Sequence, residues 1–217
     1  MSLVWKLNRL SVMEPGEIAW RARKILGAAA ERSGVLTAKT PPRASHESGV
    51  AWIATYPERF DVQTYRRAAD RVLAGQFDVF ALKSTPLGFP PRWNRDPKSG
   101  RDAPMTFGKL LDYRNERLVG DIKYLWEPSR HGELVTLAQA WRLTRERRYS
   151  AGCGALLNSW FDQCPYPFGP HWTSSLEHGL RLVNWAFAWQ LLCGQGSSLL
   201  ESDEGRVFRE RWLKSVY

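Results

Sequence analysis

The sequence predicts a mainly α-helical fold made of helical hairpins, and three observations support this. Apolar side chains recur at helical spacing in five segments of the 217-residue chain. One short stretch, Phe77 to Leu82, alternates weakly and predicts a single extended piece. Hydrophobic residues make up 43% and charged residues 24% of the chain, a composition typical of globular proteins.

The N-terminal part predicts one helix followed by a linker. Pro15-Gly16-Glu17 is typical of a helix start. The apolar stripe after it comprises Ile18, Ala22, Ile25, Leu26 and Ala29. Gly34 to Gly49 is rich in Pro, Ser and Thr, as linkers are. We therefore divide the chain into an N-terminal helix and linker, residues 1–50, and a helical domain, residues 51–217.

The second part predicts five further helices and two forced loops, and three of the helices precede residue 164. The stripes are Tyr65/Ala68/Ala69/Val72/Leu73, Leu134/Leu137/Ala138/Trp141, and Tyr149/Cys153/Leu156/Leu157/Trp160/Phe161. The short link from Thr144 to Arg148 predicts antiparallel neighbours. Pro and Gly residues break residues 85–104 and 164–170 into loops.

The helix that starts near Ser174 is apolar on two faces, so we expect it to be buried on both sides. One stripe comprises Leu176, Leu180, Val183, Phe187 and Leu191, and the other Leu182, Trp185 and Trp189. Ser174 and Glu177 have the spacing of a capping box. A last helix after Ser202 has no Gly or Pro to end it, which predicts a truncated fold with Phe208 and Trp212 exposed.

The formal net charge of +9 predicts an anionic partner. The Arg residues are spread along the chain, and no zinc-finger or RNA-binding signature is present, so we expect no nucleic acid partner. Three Cys at long spacings, Cys153, Cys164 and Cys193, imply neither a disulfide framework nor a metal site, and no cofactor is indicated. The sequence lacks a signal peptide and a membrane span, which favours the cytoplasm.

An ordered series of short motifs resembles the N-terminal part of the bacterial heparinase II/III-like polysaccharide lyases. The series covers most of the chain from about Arg9 onward. Its members are Trp93-Asn94-Arg95-Asp96-Pro97, Asp121-Ile122-Lys123-Tyr124-Leu125-Trp126-Glu127, Arg130-His131, Leu134 to Ala140, Pro165-Tyr166, Trp172-Thr173-Ser174, Leu176-Glu177 and Arg181. Two departures leave substrate specificity open: His171 stands where the family usually has Asn, and Pro128-Ser129 where it more often has Leu-Asn.

The resemblance implies an incomplete α/α toroid followed by a β-sandwich domain that this chain lacks. The resemblance also implies cleavage of uronic-acid-containing polysaccharide by β-elimination. Members of the family are often periplasmic. That reaction needs a neutralised carboxylate, a base for the C5 proton and an acid for the departing O4. The family's carboxylate-neutralising Asn and its catalytic Tyr and His match no residue here. We therefore expect no catalytic residue in this chain.

The candidate substrate-binding residues belong to the motif series, except His171, which directly precedes one of its members. They are Asn94, Tyr124, Trp126, Arg130, His131, His171 and Trp172. Arg130 suits a uronate or sulfate by paired hydrogen bonds, or pairs structurally with Glu127 or Asp121. For His131, the role of a hydrogen-bonded framework residue is favoured over that of a catalytic base. His171 and Trp172 precede a helix start, where they either bind an anion or anchor the loop.

Three functions remain open from the sequence. The first is part of an acidic-polysaccharide lyase, inactive by itself. The second is a glycoside hydrolase, because α/α toroids also host hydrolases, and Glu127 with Glu177 is the available carboxylate pair. The third is a glycan-binding or assembly module, or a non-functional truncated product. An assay for unsaturated product ends separates the first two.

Overall fold

The computed structural model describes residues 8, 9, 11–36, 52, 53 and 59–216. Within these residues the fold is mainly helical, as predicted. The chain divides into two compact units, Met1–Lys39 and Thr40–Tyr217. The predicted boundary at residue 50 and most of the predicted linker lie outside the described residues. No helix of the described part is long and apolar enough to cross a membrane.

The first unit contains helix α1, Pro15–Arg32. Proline opens the helix, where its missing N–H costs no hydrogen bond, and Glu17 lies in the first turn. Glu17 also accepts from Arg21 one turn later, at 2.8 Å. None of the 18 residues of α1 is buried, so the predicted apolar stripe lies on an exposed face.

The second unit begins with helix α2, Val62–Leu73, which buries Ala69 and Val72. A hairpin follows, formed by strands β1, Gln76–Val79, and β2, Leu82–Pro86, in antiparallel pairing. The predicted extended piece is therefore two strands, and the chain reverses at Phe80, whose φ is 51°. The apolar residues are Phe77 and Val79 in β1 and Leu82 and Pro86 in β2, too few to display alternation on both sides of the turn.

Helices α5, Gly132–Thr144, and α6, Arg147–Gln163, form the centre of the core. Two residues join them, and α5 also packs against α2 and against α7, Ser175–Leu191. The stripe residues predicted on α5 are buried, as are all those on α6 except the partly buried Phe161. Two short helices, α3 at Glu116–Val119 and α4 at Ile122–Trp126, precede α5 and lead the chain to its first turn.

Helix α7 has its charged residues inside and an apolar stripe outside. It buries Glu177, Arg181, Trp185, Ala188 and Leu191. The exposed stripe comprises Leu176, Leu180, Val183 and Phe187, at 65%, 37%, 54% and 39% exposure. The prediction that α7 is buried on both sides is therefore wrong for the described residues. The predicted capping box is also wrong, because Ser174 makes no side-chain capping bond and Glu177 binds Arg130 instead.

The last helix, α8, spans Asp203–Val216. Phe208 and Trp212 are buried, at 4% and 2% exposure, so the prediction that they are exposed is wrong. The Trp212 ring packs edge-on against Trp189 of α7, with centroids 5.1 Å apart. Phe208 lies against Phe161 of α6 at 6.4 Å. The partners of α8 are thus the ends of α6 and α7.

Candidate functional site

The candidate residues gather where the N-terminal ends of α5 and α7 meet. A 3-10 turn, Pro128–Arg130, leads into α5, and a second one, Pro170–Trp172, leads towards α7. His131 links the first turn to α5 with a left-handed φ of 62°. This conformation is uncommon for residues other than glycine, but histidine, like asparagine and aspartate, adopts it more often than most. The His131 side chain is buried.

Arg130 is bound by two carboxylates of the protein. Its Nε and Nη2 donate to the two oxygens of Glu177 at 2.8 and 3.0 Å, which is a bidentate pair. Its Nη1 donates to Glu127. The Glu177 bond raises the pKa of Arg130 above its ordinary value. An anionic ligand would therefore compete with Glu127, whose side chain is 30% exposed, since Glu177 is almost fully buried.

His131 is a buried framework residue. Its Nδ1 accepts a hydrogen bond from the indole N–H of Trp185 at 2.7 Å, so the neutral ring carries its proton on Nε2. That Nε2 has no hydrogen-bond partner among the described residues. Burial, with the charge of Arg181 adding to it, holds the pKa of His131 well below its ordinary value. His131 therefore does not serve as a surface base.

His171 is likewise buried, whereas Trp172 reaches the surface. His171 donates from Nε2 to the carbonyl oxygen of Trp93 at 2.9 Å, and burial lowers its pKa well below the ordinary value. The Trp172 N–H donates to the carbonyl oxygen of Cys164 at 3.2 Å. The half-buried Trp172 ring packs edge-on against Tyr166, which is 51% exposed. His171 thus anchors the loop, and the two aromatic rings present carbon faces.

Arg181 supports this arrangement from inside. Its Nε donates to the carbonyl oxygen of Ser129 at 3.0 Å and its Nη2 to that of His171 at 3.3 Å. It thus joins the two turns that precede α5 and α7. Burial lowers the pKa of Arg181 to about 10, so it keeps its charge at neutral pH. Its bonds to backbone carbonyl oxygens give it a structural role.

Trp160 of α6 is the common contact of the cluster. His131 and His171 each pack against its ring with centroids 4.8 Å apart, and Trp93 does so at 5.5 Å. The Arg181 guanidinium lies over the same ring, 4.4 Å from its centroid. Sequence reasoning placed Trp160 on a core stripe and could not distinguish it from its neighbours. Only the three-dimensional packing shows that four motif residues converge on it.

Asn94 is tied to α6 rather than presented to solvent. Its Nδ2 donates to the carbonyl oxygen of Gln163 at 2.9 Å, while its Oδ1 has no partner among the described residues. The adjacent Asp96 is fully buried and accepts the N–H of Asp121 at 2.9 Å. Gly120 allows this approach, because an added Cβ would lie 2.4 Å from an Asp96 oxygen. The long loop is thereby fastened to the start of α4.

Tyr124 and Trp126 occupy the short helix α4. Tyr124 packs edge-on against Phe80 of the hairpin at 5.2 Å, and the Lys98 ammonium lies 5.0 Å from its ring centroid. Trp126 donates from Nε1 to the carbonyl oxygen of Pro170 at 3.0 Å, so it joins α4 to the turn that holds His171. Trp126 therefore belongs to the cluster, and Tyr124 lies towards the hairpin.

Glu133 is a titratable residue that the sequence did not single out. It lies in the first turn of α5 and is partly buried. Burial raises its pKa to about 7, and the negative charges of Glu127 and Asp78 add to this effect. No periodic or motif signal distinguishes Glu133 from a solvent-facing acid at a helix start, because Asp78 is distant in sequence. Its carboxyl is partly protonated at neutral pH.

The described residues contain no group of three or more His, Cys, Asp or Glu side chains that could hold a metal ion. No family profile, curated protein or solved structure matches this chain. The function is therefore argued from the site itself.

Proposed function

We propose that the chain is the N-terminal portion of an α/α toroid from a polysaccharide lyase that acts on uronic-acid-containing chains, and that it contributes glycan binding. One observation carries the proposal. Residues from four separated motifs, at Trp93, at Arg130-His131, at His171-Trp172 and at Glu177 to Arg181, belong to one connected network. That these distant parts of the sequence meet in one network supports the interpretation of the motif series as a single site.

Glycan binding in this proposal depends on aromatic faces and on net charge. The hydrogen-bonding groups of Arg130, Trp126 and Trp172 are engaged within the protein. The carbon faces of Tyr166 and Trp172 remain at the surface. Indole and phenol rings pack well against the C–H faces of sugars, because both surfaces are apolar. The net charge of +9 attracts a polyuronate at longer range.

Turnover by this chain alone is not expected. β-Elimination needs a base within hydrogen-bond reach of the C5 proton. The two imidazoles of the candidate set, His131 and His171, are buried and neutral. Arg130, the residue suited to neutralising a uronate, already binds Glu177 and Glu127. The cluster can therefore hold a binding surface in place, but it does not supply the acid and the base that β-elimination needs.

A glycan-binding module that performs no chemistry is the second candidate, and the same engaged polar groups favour it. A hydrolase fits less well, because Glu127 and Glu177 both bind Arg130. Glycosidases instead leave their two carboxyls about 5 to 10 Å apart, with a sugar or water between them.

The test uses the purified chain with heparan sulfate, chondroitin and alginate, and with a neutral polysaccharide as control. We expect binding to at least one acidic chain, weakening as salt is raised, and no absorbance from unsaturated ends. Equal binding to the neutral and acidic chains would contradict the proposal. Accumulation of unsaturated ends would show that the catalytic groups lie within these residues.

A further inference from the structure

Helix α1 has two different faces, and neither is buried. Ile18, Ile25 and Leu26 are 41%, 69% and 69% exposed. With 3.6 residues per turn they lie on one side, together with Ala22 and Ala29. This apolar side has no cover within the described part of the first unit. Transfer of an uncovered apolar stripe out of water is favourable, because it removes apolar surface from contact with water.

The opposite face of α1 is basic and carries a tryptophan. Arg23 and Lys24 lie on that face, and Lys24 is 5.5 Å from the ring centroid of Trp20. Glu17 already binds Arg21. Over residues 1–39, seven Lys or Arg and three Glu give a net charge of +4, nearly half of the charge of the whole chain. Amphipathic helices that lie on membrane surfaces combine an apolar face with a polar face rich in Lys and Arg.

We propose that α1 binds the surface of an anionic lipid bilayer, lying parallel to it with Ile18, Ile25 and Leu26 inserted among the acyl chains. The long Arg23 and Lys24 side chains then reach lipid phosphates beside the helix, because their flexible stems can bend towards the bilayer surface. This inference does not depend on the glycan-binding proposal, which uses only residues of the second unit.

The combination of faces selects a bilayer over other anionic partners. A nucleic acid would satisfy the cations and leave the apolar stripe in water. A second copy of the chain would cover the stripe and leave the basic face without an anionic partner. An anionic bilayer offers both an apolar interior and a negative surface, so it complements both faces at once.

The experiment measures co-sedimentation of the full 217-residue chain with vesicles. One set contains phosphatidylcholine alone, and the other contains phosphatidylcholine with phosphatidylglycerol. The decisive pair of variants is Ile25→Glu and Gly27→Glu, which add the same charge on opposite sides of α1. Gly27 suits the control because an added Cβ meets no atom within 4 Å. A third variant, Arg23→Gln with Lys24→Gln, tests the basic face.

We expect the protein to sediment with the anionic vesicles and to remain largely free of the neutral ones. Ile25→Glu is expected to weaken binding about tenfold relative to Gly27→Glu, because it removes an inserted side chain. The Arg23→Gln/Lys24→Gln variant should also bind more weakly, and added salt should reduce the binding of wild type. Equal binding by Ile25→Glu and Gly27→Glu, or no binding of wild type to anionic vesicles, overturns the proposal. Light scattering without vesicles checks for a dimer, whose loss in Ile25→Glu alone would identify a second copy as the partner.

Discussion

Arg130 decides how the two helix starts are held together. Its bidentate bond to Glu177 joins the turn before α5 to the first turns of α7, and its carbonyl oxygen accepts the Asn184 side chain at 2.8 Å. A carboxylate that is 3% exposed pays a large desolvation penalty, which the paired hydrogen bonds offset. Removing Arg130 or Glu177 should therefore lower the free energy of unfolding more than removing one member of a surface ion pair.

We predict that Glu177→Gln lowers the free energy of unfolding by about 2–3 kcal/mol, because the buried end of the Arg130 pair loses its charge. Urea denaturation of the variant measures the change. The matched control is Asp203→Asn, which removes the carboxylate of an exposed pair with Arg206 and should cost no more than about 0.5 kcal/mol. Equal costs for the two variants would show that the Arg130 pair is only a surface contact.

Acidification is predicted to destabilise the protein through His131 and His171. The pKa of each folded-state imidazole lies well below the ordinary value of 6.5. The unfolded chain therefore binds more protons, and stability is lost as pH falls below about 6.5. His171→Gln, whose amide can still donate to the Trp93 carbonyl, should reduce this loss. The measurement is the difference in unfolding free energy between wild type and variant from pH 8 to pH 5. A constant difference would contradict the neutral, buried assignment.

Glu133 is predicted to act in the opposite direction. The folded-state pKa of Glu133, about 7, lies above the ordinary value of 4.5. The stability that the protonated carboxyl contributes is therefore fully present below about pH 4.5 and is lost as the pH rises through about 7. Glu133→Gln should therefore be the more stable protein at pH 8, by about 1–2 kcal/mol after allowance for partial exposure. At pH 4.5 the two proteins should be nearly equal. A variant that is no more stable than wild type at pH 8 would refute the burial of this carboxyl.

At the scale of elements, α7 shows why a hydrophobic pattern does not identify which face is buried. Both of its stripes are apolar, and the face turned inward is the one that also carries Glu177 and Arg181. Those two charged side chains can be buried because Glu177 accepts hydrogen bonds from Arg130 and Arg181 donates to backbone carbonyl oxygens of the turns. Their partners lie 47 and 52 residues away in sequence, beyond the reach of any local pattern.

Substitutions on the two faces of α7 should have very different effects. Leu176→Gln and Val183→Gln change side chains that are 65% and 54% exposed, so we expect unfolding free energies within about 0.5 kcal/mol of wild type and better solubility. Trp185→Ala removes a buried ring, also bonded to His131, and should cost about 3–5 kcal/mol. Chemical denaturation and the concentration limit of each variant provide the readouts. A large loss in Leu176→Gln would mean that the outward stripe is covered in solution.

At the scale of the whole molecule, local periodicity predicted the mainly helical fold and the positions of most of the longer helices. The stripes of α2, α5 and α6 correspond to buried faces because each helix has one dominant apolar side. The hairpin turn at Phe80 was not predictable because its strands are too short to display alternation. The burial of Phe208 and Trp212 was not predictable because it depends on Phe161 and Trp189, which are distant in sequence. The motif series likewise does not reveal the internal bonds that occupy Arg130 and His171, because their partners Glu177 and Trp93 are distant in sequence.

The most direct test of the account is the binding of an acidic polysaccharide by a matched pair of variants. Tyr166→Ala removes a 51% exposed ring that packs against Trp172 beside the motif cluster. Phe60→Ala removes a 41% exposed ring that packs against Tyr65 of α2, outside the motif series. Affinity electrophoresis in gels containing alginate or heparan sulfate compares the two with wild type. We predict that Tyr166→Ala weakens binding about fivefold or more, on the scale of one aromatic contact, while Phe60→Ala binds like wild type. Equal retardation of both variants would contradict the assignment of the Tyr166 and Trp172 rings as the glycan-binding surface.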